Sequence, residues 1–426
     1  MKSDTAQRHL LVFEPDARGH APEWIEHLLE RLVRLRQDLT VSVAVPPDLA
    51  AELAGWSRHR GPPDVRMLPL STLEMKLCNS GRLAVSGLAR WWTMRRRLRQ
   101  TGADHGLFLG FDHLTLPFGL GLGAGGAEVS GILFRPSVHY PAEPGREQPL
   151  SERLRDLHKA LLYPRMLRNP AVRTVWSLDP YFPAYAVNQY DHGHKVRPAP
   201  DPAYPVRTTA RADENAFACL APPDRTLFLI FGVLSERKGM LALVDALRRL
   251  EPRYASSVAV LAAGMIDPAL EKPLAAALDE LHEMRPEIWL RFDNRRLSMG
   301  EIAAHVVNAD VVLAPYQRFV GSSGVMLWAA GAGKPVITQS YGLLGRLARD
   351  YGLGLDIDTT DPSEIAGAIV TTLRKGPGSL ADPAGMARFL ESHSPDVFAA
   401  RVIEAGTGIS PPLDDLCEPL RARATD

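Results

Sequence analysis

The sequence predicts an α/β protein with two doubly wound parallel sheets, each in a domain of its own. Short apolar runs alternate with segments whose apolar residues recur at helical spacing, as in a parallel sheet covered by helices on both faces. A proline-rich stretch near residue 200 divides this pattern into two sets of similar length. A chain of 426 residues is long enough for two such domains.

The first set begins with the apolar run HLLVFEP at residues 9–15. A helix is predicted next, over Ala21–Leu35, because large apolar residues share one face: Trp24, Ile25, Leu28, Leu29, Leu32 and Leu35. Further strands with helical segments between them are predicted at Leu39–Val45, Val65–Leu70, Gly106–Phe111, Val129–Phe134 and Val172–Leu178.

The boundary between the two sets is the segment Pro198-Ala199-Pro200-Asp201-Pro202, followed by Tyr204-Pro205. Such a density of prolines predicts a stiff, extended linker. We therefore expect an N-terminal domain over 1–200 and a C-terminal domain over 201–395. A helix and a loose tail are expected over 396–426, because the sequence from Gly406 onward is rich in Pro, Asp and Arg. Whether that helix packs back on the first domain is left open.

The second set repeats the alternation. Strands are predicted at Thr226–Phe231, Ser257–Ala263, Ile288–Phe292, Val311–Ala314, Pro335–Thr338 and Leu353–Ile357, with helices such as Met240–Leu250 and Pro362–Lys375 between them. Ligands of such sheets bind beyond the carboxyl ends of the strands. Two domains of this kind predict a cleft that suits a two-substrate reaction.

Composition narrows the class of protein. The formal net charge is zero, whereas a nucleic-acid-binding domain is usually basic. Cys78, Cys219 and Cys417 follow no metal-binding or redox spacing. The polar N-terminus does not resemble a signal peptide, and no apolar run approaches the about 20 residues that cross a bilayer. These observations predict a cytoplasmic protein without a metal site, and they leave the oligomeric state open.

The segment from Ala309 to Gly345 carries the clearest signal for a ligand. A strand ends at Pro315-Tyr316, and a small-residue turn then opens a helix. The first backbone N–H groups of a helix lack partners within the helix, and its dipole favours negative charge there. The segment therefore predicts a diphosphate-binding turn formed by Gly321, Ser322, Ser323, Gly324 and Val325.

A second strand-to-helix turn follows the strand Thr226–Phe231. Gly232 permits a tight turn, and Ser235 is a candidate N-cap. Arg237 and Lys238 follow at the start of a helix, where a lysine can act as a point charge on a phosphate. The alternative is that both are solvated residues at a helix start.

Four segments together resemble a known family: FGVLSERKG, ADVVLAPYQ, GSSGVMLWAAGAGKPVI and GLLG. Between Leu227 and Gly354 they are similar to GT-B glycosyltransferases of family four, which have two Rossmann-like domains. The resemblance implies a C-terminal domain that binds a nucleotide-diphosphate sugar as donor substrate, with Lys238 on the diphosphate. It also implies catalysis without a metal or other cofactor, and retention of the anomeric configuration.

The chain departs from that family at three positions. The family carries two glutamates eight positions apart, one on the donor sugar and one on the ribose, and Val320 and Trp328 occupy those positions. Val233 stands where an arginine often follows the turn glycine. Three readings remain open: Ser322, Ser323 and the helix N-terminus take over the donor contacts, the enzyme uses another donor, or the chain is catalytically silent.

The N-terminal half offers candidates for the acceptor or the transferred sugar. Gly19 and His20 stand where the family has a glycine-containing loop, and Asp112 and Arg135 follow predicted strands. A histidine at a comparable strand end contacts the transferred sugar in the family, which makes His139 the second catalytic candidate beside Lys238. Plain loop roles are the alternatives for Gly19, His20 and Asp112.

The segment at residues 83–100 has tryptophans and leucines among five arginines. A basic amphipathic helix of this kind can lie on an anionic membrane. The alternatives are a domain helix with a charged outer face and an arginine-rich acceptor wall. A peripheral position at the inner membrane face is therefore a second hypothesis for localisation.

The predicted reaction is transfer of a sugar from a nucleotide-diphosphate sugar to an acceptor hydroxyl. Two other classes remain: a nucleotide-sugar epimerase-like enzyme on the same fold, and a non-catalytic relative that only binds. The sequence identifies neither the donor sugar nor the base nor the acceptor.

Overall fold

A computed structural model describes residues 8–16, 21–35, 39–57, 64–140, 150–203 and 221–407. The chain divides into two compact units. The first consists of residues 1–201 together with 395–426, and the second consists of residues 202–394.

The first unit contains a parallel sheet of seven described strands. They are β1 (His9–Phe13), β2 (Thr40–Ala44), β3 (Asp64–Met67), β4 (His105–Phe108), β5 (Glu128–Leu133), β6 (Val172–Ser177) and β7 (Val196–Pro198). Their order across the sheet is β3-β2-β1-β4-β5-β6-β7. The sheet is parallel throughout, as predicted, because helices connect its strands.

Helices accompany this sheet. They are α1 (Ala21–Leu35), α2 (Pro47–Ser57), α3 (Thr72–Cys78), α4 (Leu83–Thr101), α5 (Thr115–Gly119), α6 (Leu150–Arg168), α7 (Phe182–Gln189) and, from the end of the chain, α16 (Pro395–Thr407). The apolar face predicted for α1 is buried from Trp24 to Leu32. Helix α16 packs on α1, where the Phe398 ring centroid lies 4.9 Å from that of Trp24.

The second unit contains a parallel sheet of six strands. They are β8 (Thr226–Phe231), β9 (Val258–Ala263), β10 (Trp289–Asp293), β11 (Val311–Ala314), β12 (Val336–Gln339) and β13 (Gly354–Ile357), in the order β10-β9-β8-β11-β12-β13. Its helices are α8 (Met240–Arg248), α9 (Pro252–Ala255), α10 (Pro268–Met284), α11 (Met299–Asn308), α12 (Gly324–Gly331), α13 (Gly342–Tyr351), α14 (Pro362–Lys375) and α15 (Pro383–Ser392).

Each sheet has a point at which the strand order reverses. It lies between β1 and β4 in the first unit and between β8 and β11 in the second. Loops after such strands diverge and leave a crevice at the carboxyl edge of the sheet. The two anion-binding turns predicted from the sequence follow β8 and β11, so both lie at the reversal point of the second unit.

One local prediction needs correction. Phe111 was expected at the end of a strand, but β4 ends at Phe108 and Phe111 starts a short 3-10 helix. The first residue of the predicted linker, Pro198, belongs to β7, and Ala199, Asp201 and Ala203 are buried. Tyr204, Pro205 and the tail at 408–426 lie outside the described residues.

Candidate functional site

The turn after β8 depends on two glycines. Gly232 has a φ of 95°, which L side chains rarely adopt. A Cβ on Gly264, at the end of β9, would lie 2.1 Å from the carbonyl oxygen of Gly232. Only glycine permits this close approach of two strand ends. The turn therefore carries the chain directly to Ser235, Arg237 and Lys238.

Ser235 does not act as the predicted side-chain cap. It precedes a 3-10 turn, Glu236–Lys238, and makes no capping hydrogen bond with its hydroxyl. The following helix, α8, begins at Met240 after Gly239, whose φ is 77°. Ser235 cannot cap α8 because the 3-10 turn separates the serine from the N-terminus of that helix.

Lys238 is buried, with 6% of its surface exposed. Its Nζ donates a hydrogen bond to the carbonyl of Phe231 and lies 5.3 Å from the ring centroid of Tyr316. Burial lowers the pKa of Lys238, and Tyr316 partly opposes that shift. A cation held by a carbonyl and an aromatic ring, away from a carboxylate, is well suited to an anionic ligand.

Tyr316 connects Lys238 to the start of α12. Its hydroxyl lies 2.7 Å from the hydroxyl of Ser323, and Ser323 Oγ accepts the backbone N–H of Val325 at 3.3 Å. Ser323 is thus the N-cap of α12, as the small-residue turn predicted. From the sequence, Tyr316 was predicted only as the end of a strand. No local pattern indicates that its side chain connects Lys238 to Ser323.

Arg237 lies on the exposed side of the same cluster. Its guanidinium carbon is 4.6 Å from the ring centroid of Phe319 and 5.4 Å from that of Tyr316. The carbonyl of Arg237 accepts the backbone N–H of Gln317 at 2.9 Å. The two predicted anion-binding turns are therefore joined by backbone and ring contacts within one unit.

The side chain of Gln339 fixes the loop between β11 and α12 through hydrogen bonds to its backbone. This buried amide accepts the N–H of Phe319 at 2.9 Å and donates to the carbonyls of Phe319 and Tyr341. Arg318 takes a φ of 53°, which is rare for a residue other than glycine. Gln339 was not predicted as part of the site, because the sequence pattern of a strand does not show whether an amide side chain faces a loop or solvent.

The remaining predicted donor residues lie along this loop. Gly321 and Val325 are buried, whereas Ser322 and Gly324 are partly exposed. Of the two positions at which the resembled family has glutamates, Val320 is buried and Trp328 is half-buried on α12.

In the first unit, His139 lies in a buried polar cluster. Its Nε2 is 3.0 Å from Oδ2 of Asp179, which has no exposed surface. The same oxygen accepts the hydroxyl of Tyr140 at 2.5 Å, and Oδ1 accepts the N–H of Tyr181 at 2.9 Å. A carboxylate beside an imidazole can fix the orientation of the ring. The contact between Asp179 and His139 was not predicted from the sequence.

Asp112 and Arg135 meet at the ends of neighbouring strands. The Asp112 carboxylate accepts the backbone N–H of Phe134 at 2.7 Å and that of Arg135 at 3.3 Å. Lys159 from α6 donates to the carbonyl of Arg135, and burial lowers the pKa of Lys159. The Asp112 side chain therefore holds the loop after β5 in place rather than lying in a solvated loop.

A carboxyl group that the sequence analysis missed follows β1. Glu14 is buried, and burial raises its pKa to about 7 although Arg90 Nη1 lies 3.7 Å from Oε1. Arg90 itself donates to the carbonyl of Cys78 and to the side chain of Asn79, both at 3.0 Å. Gly19 and His20, which come soon after Glu14, lie outside the described residues.

The basic segment at 83–100 forms most of α4. Arg90, Met94 and Leu98 face the core, whereas Trp92 has 53% of its surface exposed. Arg96 lies over Trp92 at 5.7 Å. The helix is thus part of the domain on one face and carries exposed apolar and basic groups on the other.

The described residues contain neither a metal-binding cluster nor a membrane-spanning helix. No group of three or more His, Cys, Asp or Glu side chains there is placed to hold a metal ion. No helix in the same ranges combines the length and apolar character that a membrane span requires.

Comparisons with known proteins agree on the second unit. Residues 225–375 match a family model described as Glycosyl transferases group 1. This range contains both predicted anion-binding turns and the Lys238–Tyr316–Ser323 cluster. No curated protein matches the chain.

Solved structures match over nearly the whole chain. Sucrose-phosphate synthase from Thermosynechococcus elongatus has a TM-score of 0.67 and 17% identity, covering 94% of this chain and 98% of its own. HepE of Anabaena in complex with UDP has a TM-score of 0.62 and 14% identity, covering 95% and 100%. A glycosyltransferase from Rickettsia africae has a TM-score of 0.63 and 12% identity, covering 95% and 98%.

Identities this low establish the fold alone, and the fold agrees with the sheet order in both units. Residues 225–375 in the second unit are similar to group 1 glycosyl transferases, and the chain as a whole has the GT-B fold.

Proposed function

We propose that this protein is a glycosyltransferase that moves a sugar from a nucleotide-diphosphate sugar to an acceptor hydroxyl. The observation that carries the proposal is the buried Lys238, joined through Tyr316 to Ser323 at the N-terminus of α12. The match of residues 225–375 to group 1 glycosyl transferases and the UDP held by HepE support a nucleotide diphosphate as the ligand of this cluster.

The charges of the cluster fit the chemistry of the leaving group. When the glycosidic bond to the diphosphate breaks, negative charge grows on the phosphate oxygens. Lys238, Arg237 and the first N–H groups of α12 would stabilise that charge where it develops. Because these groups supply positive charge without a metal ion, we propose that transfer does not require a divalent cation.

The loop after β11 provides the contacts that the missing glutamates do not. Ser322 and Ser323 are hydroxyl donors beside the turn, and Gln339 fixes the backbone of Phe319. We therefore favour a rebuilt donor site, in which hydroxyl and backbone groups bind the phosphates, over loss of binding.

His139 and the first unit would serve the other half of the reaction. The Asp179 carboxylate beside His139 would hold the ring in one orientation toward the transferred sugar. Retention of the anomeric configuration would follow if the acceptor attacks on the face that the diphosphate leaves. Arg135, with its exposed side chain, is the proposed acceptor contact.

A nucleotide titration tests the donor site. UDP, GDP, ADP and TDP are titrated into the protein by calorimetry, and the best ligand is then titrated into Lys238→Ala. We expect at least about tenfold weaker binding, because a buried charge-assisted contact is lost. Lys272→Ala is the matched control, since Lys272 is an exposed lysine of the same unit. Equal affinities for Lys238→Ala and the wild type would disprove the site.

Turnover then separates the proposed function from its alternatives. The wild type is incubated with the sugar nucleotide of the preferred base, with and without EDTA, and the products are identified by mass spectrometry. Release of nucleoside diphosphate in both samples supports a metal-independent transferase. Conversion of the sugar nucleotide to an epimer would identify an epimerase, and binding without any product would identify a non-catalytic relative.

We also propose a peripheral contact with anionic membranes through α3 and α4. Leu73, Leu77, Leu83, Leu88 and Trp92 are exposed on these two helices, and Arg96 lies beside Trp92. Apolar side chains among arginines favour an interface with negatively charged headgroups.

Co-sedimentation with vesicles tests this contact. Vesicles with and without phosphatidylglycerol are compared for the wild type and for the double variant Leu88→Ala with Trp92→Ala. Leu120→Ala with Val187→Ala is the control, because both residues are exposed elsewhere in the first unit. Binding that persists in the first double variant would refute the assignment.

A further inference from the structure

A bulge in the first sheet places an arginine at the amino edge of the strands. Val129 of β5 pairs with Val172 of β6, but the next residue of β5, Ser130, pairs with Thr174. Arg173 is therefore skipped in the backbone register of β5 and β6. Bulges of this kind redirect a side chain and recur beside binding sites.

A cavity of about 230 Å³ lies at this bulge. Its lining comes from the amino ends of β5, β6 and β7 and from the short turn before β7. The charged and polar lining residues are Glu128, Arg173, Thr174, His194, Lys195 and Arg197. Strands β5 and β6 are each six residues long at about 3.3 Å per residue, so the cavity lies roughly 15–20 Å from their carboxyl ends.

The cavity has an excess of positive charge. Glu128 is paired with Arg173, whose Nη1 lies 2.5 Å from Oε2. His105 is also near Glu128, but burial lowers its pKa to about 4, so it is neutral at neutral pH. Glu128 also attracts Lys195, so three cations of the lining, Arg173, Lys195 and Arg197, share this one carboxylate.

Backbone packing and a hydrogen bond fix the turn that contains His194 and Lys195. Gly193 packs so tightly on α7 that a Cβ there would lie 2.0 Å from the carbonyl oxygen of Ala186. This contact fixes the turn that carries His194 and Lys195. Lys195 Nζ donates to the carbonyl of Asn169 at 3.2 Å, and Asn169 is itself anchored to the carbonyls of Phe118 and Leu122.

We propose that this cavity binds a phosphate group, either inorganic phosphate or the phosphate monoester of a small molecule, at a site separate from the one that holds the donor. Lys195 and Arg197 provide the charge, Arg173 and Thr174 provide further donors, and the turn at Gly193 keeps them in place. Burial lowers the pKa of Lys195, and the Glu128 carboxylate only partly opposes that shift. An anion here would stabilise the first unit, because it binds the folded state alone.

The experiment uses the full chain and does not depend on the proposed activity. Inorganic phosphate and a hexose 6-phosphate are titrated at constant ionic strength, by calorimetry and by thermal unfolding. Variants Arg197→Ala and Lys195→Ala are compared with Arg153→Ala, an exposed arginine of α6 in the same unit. UDP binding is measured for every variant.

We expect saturable binding at about millimolar concentration or below, weakened at least about fivefold by Arg197→Ala and unchanged by Arg153→Ala. Tighter binding of the hexose phosphate would identify a monoester site, whereas equal binding would identify an inorganic phosphate site. Arg197 is an exposed residue of β7, so its variant remains informative if Lys195→Ala does not fold. Non-saturable heats, or equal losses in Arg197→Ala and Arg153→Ala, would overturn the proposal. UDP affinity should stay unchanged in all variants.

Discussion

The hydroxyl of Tyr316 lies 2.7 Å from the hydroxyl of Ser323, and the ring of the same tyrosine lies 5.3 Å from Lys238 Nζ. One side chain therefore touches both turns of the proposed diphosphate site. It also opposes the effect of burial on the pKa of Lys238.

Tyr316→Phe should weaken nucleotide binding about fivefold, because Ser323 loses a partner that orients its hydroxyl. The pKa of Lys238 should fall further, so the loss of UDP affinity should be larger at alkaline pH. Calorimetric titration with UDP at two pH values measures both effects. Tyr254→Phe is the control, since the Tyr254 hydroxyl contacts Arg374 elsewhere in the same unit. Identical pH dependence in Tyr316→Phe and the wild type would contradict this prediction.

Asp179→Ala should lower the free energy of unfolding by about 3–5 kcal/mol, since removal of a buried carboxylate leaves its buried polar partners without a hydrogen-bond acceptor. The hydroxyl of Tyr140 and the N–H of Tyr181 would lose their acceptor. Urea unfolding measures the loss. Asp191→Ala, at an exposed ion pair with Arg168, should leave the transition unchanged. A small effect for Asp179→Ala would mean that water replaces the carboxylate.

The Glu14 carboxyl should make stability fall as the pH rises. Burial raises its pKa from 4.5 to about 7, so folding takes up a proton between these values. Its contribution is fully present below pH 4.5 and is lost as the pH rises through 7. The difference between the two values corresponds to about 3 kcal/mol. The charged groups facing it are Arg90 and Asp16, and His113 lies close to Arg90.

Glu14→Gln should remove most of this dependence. Urea unfolding at about pH 5 and about pH 8 should show a smaller decline for Glu14→Gln than for the wild type. The comparison concerns the slope and not the absolute stability, because the variant also leaves Arg90 without its carboxylate. Glu52→Gln, at an exposed position of α2, should keep the wild-type slope. A wild-type slope in Glu14→Gln would show that other groups cause the decline.

Gly239→Ala should abolish nucleotide binding and cost about 2–4 kcal/mol of stability. Gly239 has a φ of 77°, and a Cβ there would lie 2.0 Å from the carbonyl oxygen of Pro315. The end of β11 must therefore move, and Tyr316 moves with it. Gly300→Ala is the control, because nothing lies near that position in α11 and alanine favours the helix. Intact UDP binding in Gly239→Ala would show that the two turns move independently.

Local patterns were enough to locate most elements. The bounds of α1, β8, β11 and α14 coincide with the predicted ones, because apolar periodicity and turn residues mark both ends. Helix α14, for example, begins at Pro362 after Asp361, whose side chain caps it. Strand β7 was missed, since three residues beside a proline-rich segment carry too little pattern.

Local sequence patterns could not predict the contacts between side chains that are far apart in the sequence. His139 and Asp179 are 40 positions apart, and they meet only because β5 and β6 are neighbours. Asp112 binds the backbone after β5 for the same reason. Glu14 looks like an ordinary loop acid until α4 places Arg90 beside it. Each of these contacts depends on which strands and helices are neighbours in the folded unit, and a single sequence does not determine that.

Helix α16 is separated in the chain from the rest of the unit to which it belongs. Residues 202–394 form the second unit without interruption, whereas the first unit needs both 1–201 and α16. The ribosome therefore finishes the second unit before it releases the helix that covers Trp24. A premature stop near residue 394 would leave the N-terminal half uncovered, so the part of the protein that is synthesised first is the part that is completed last.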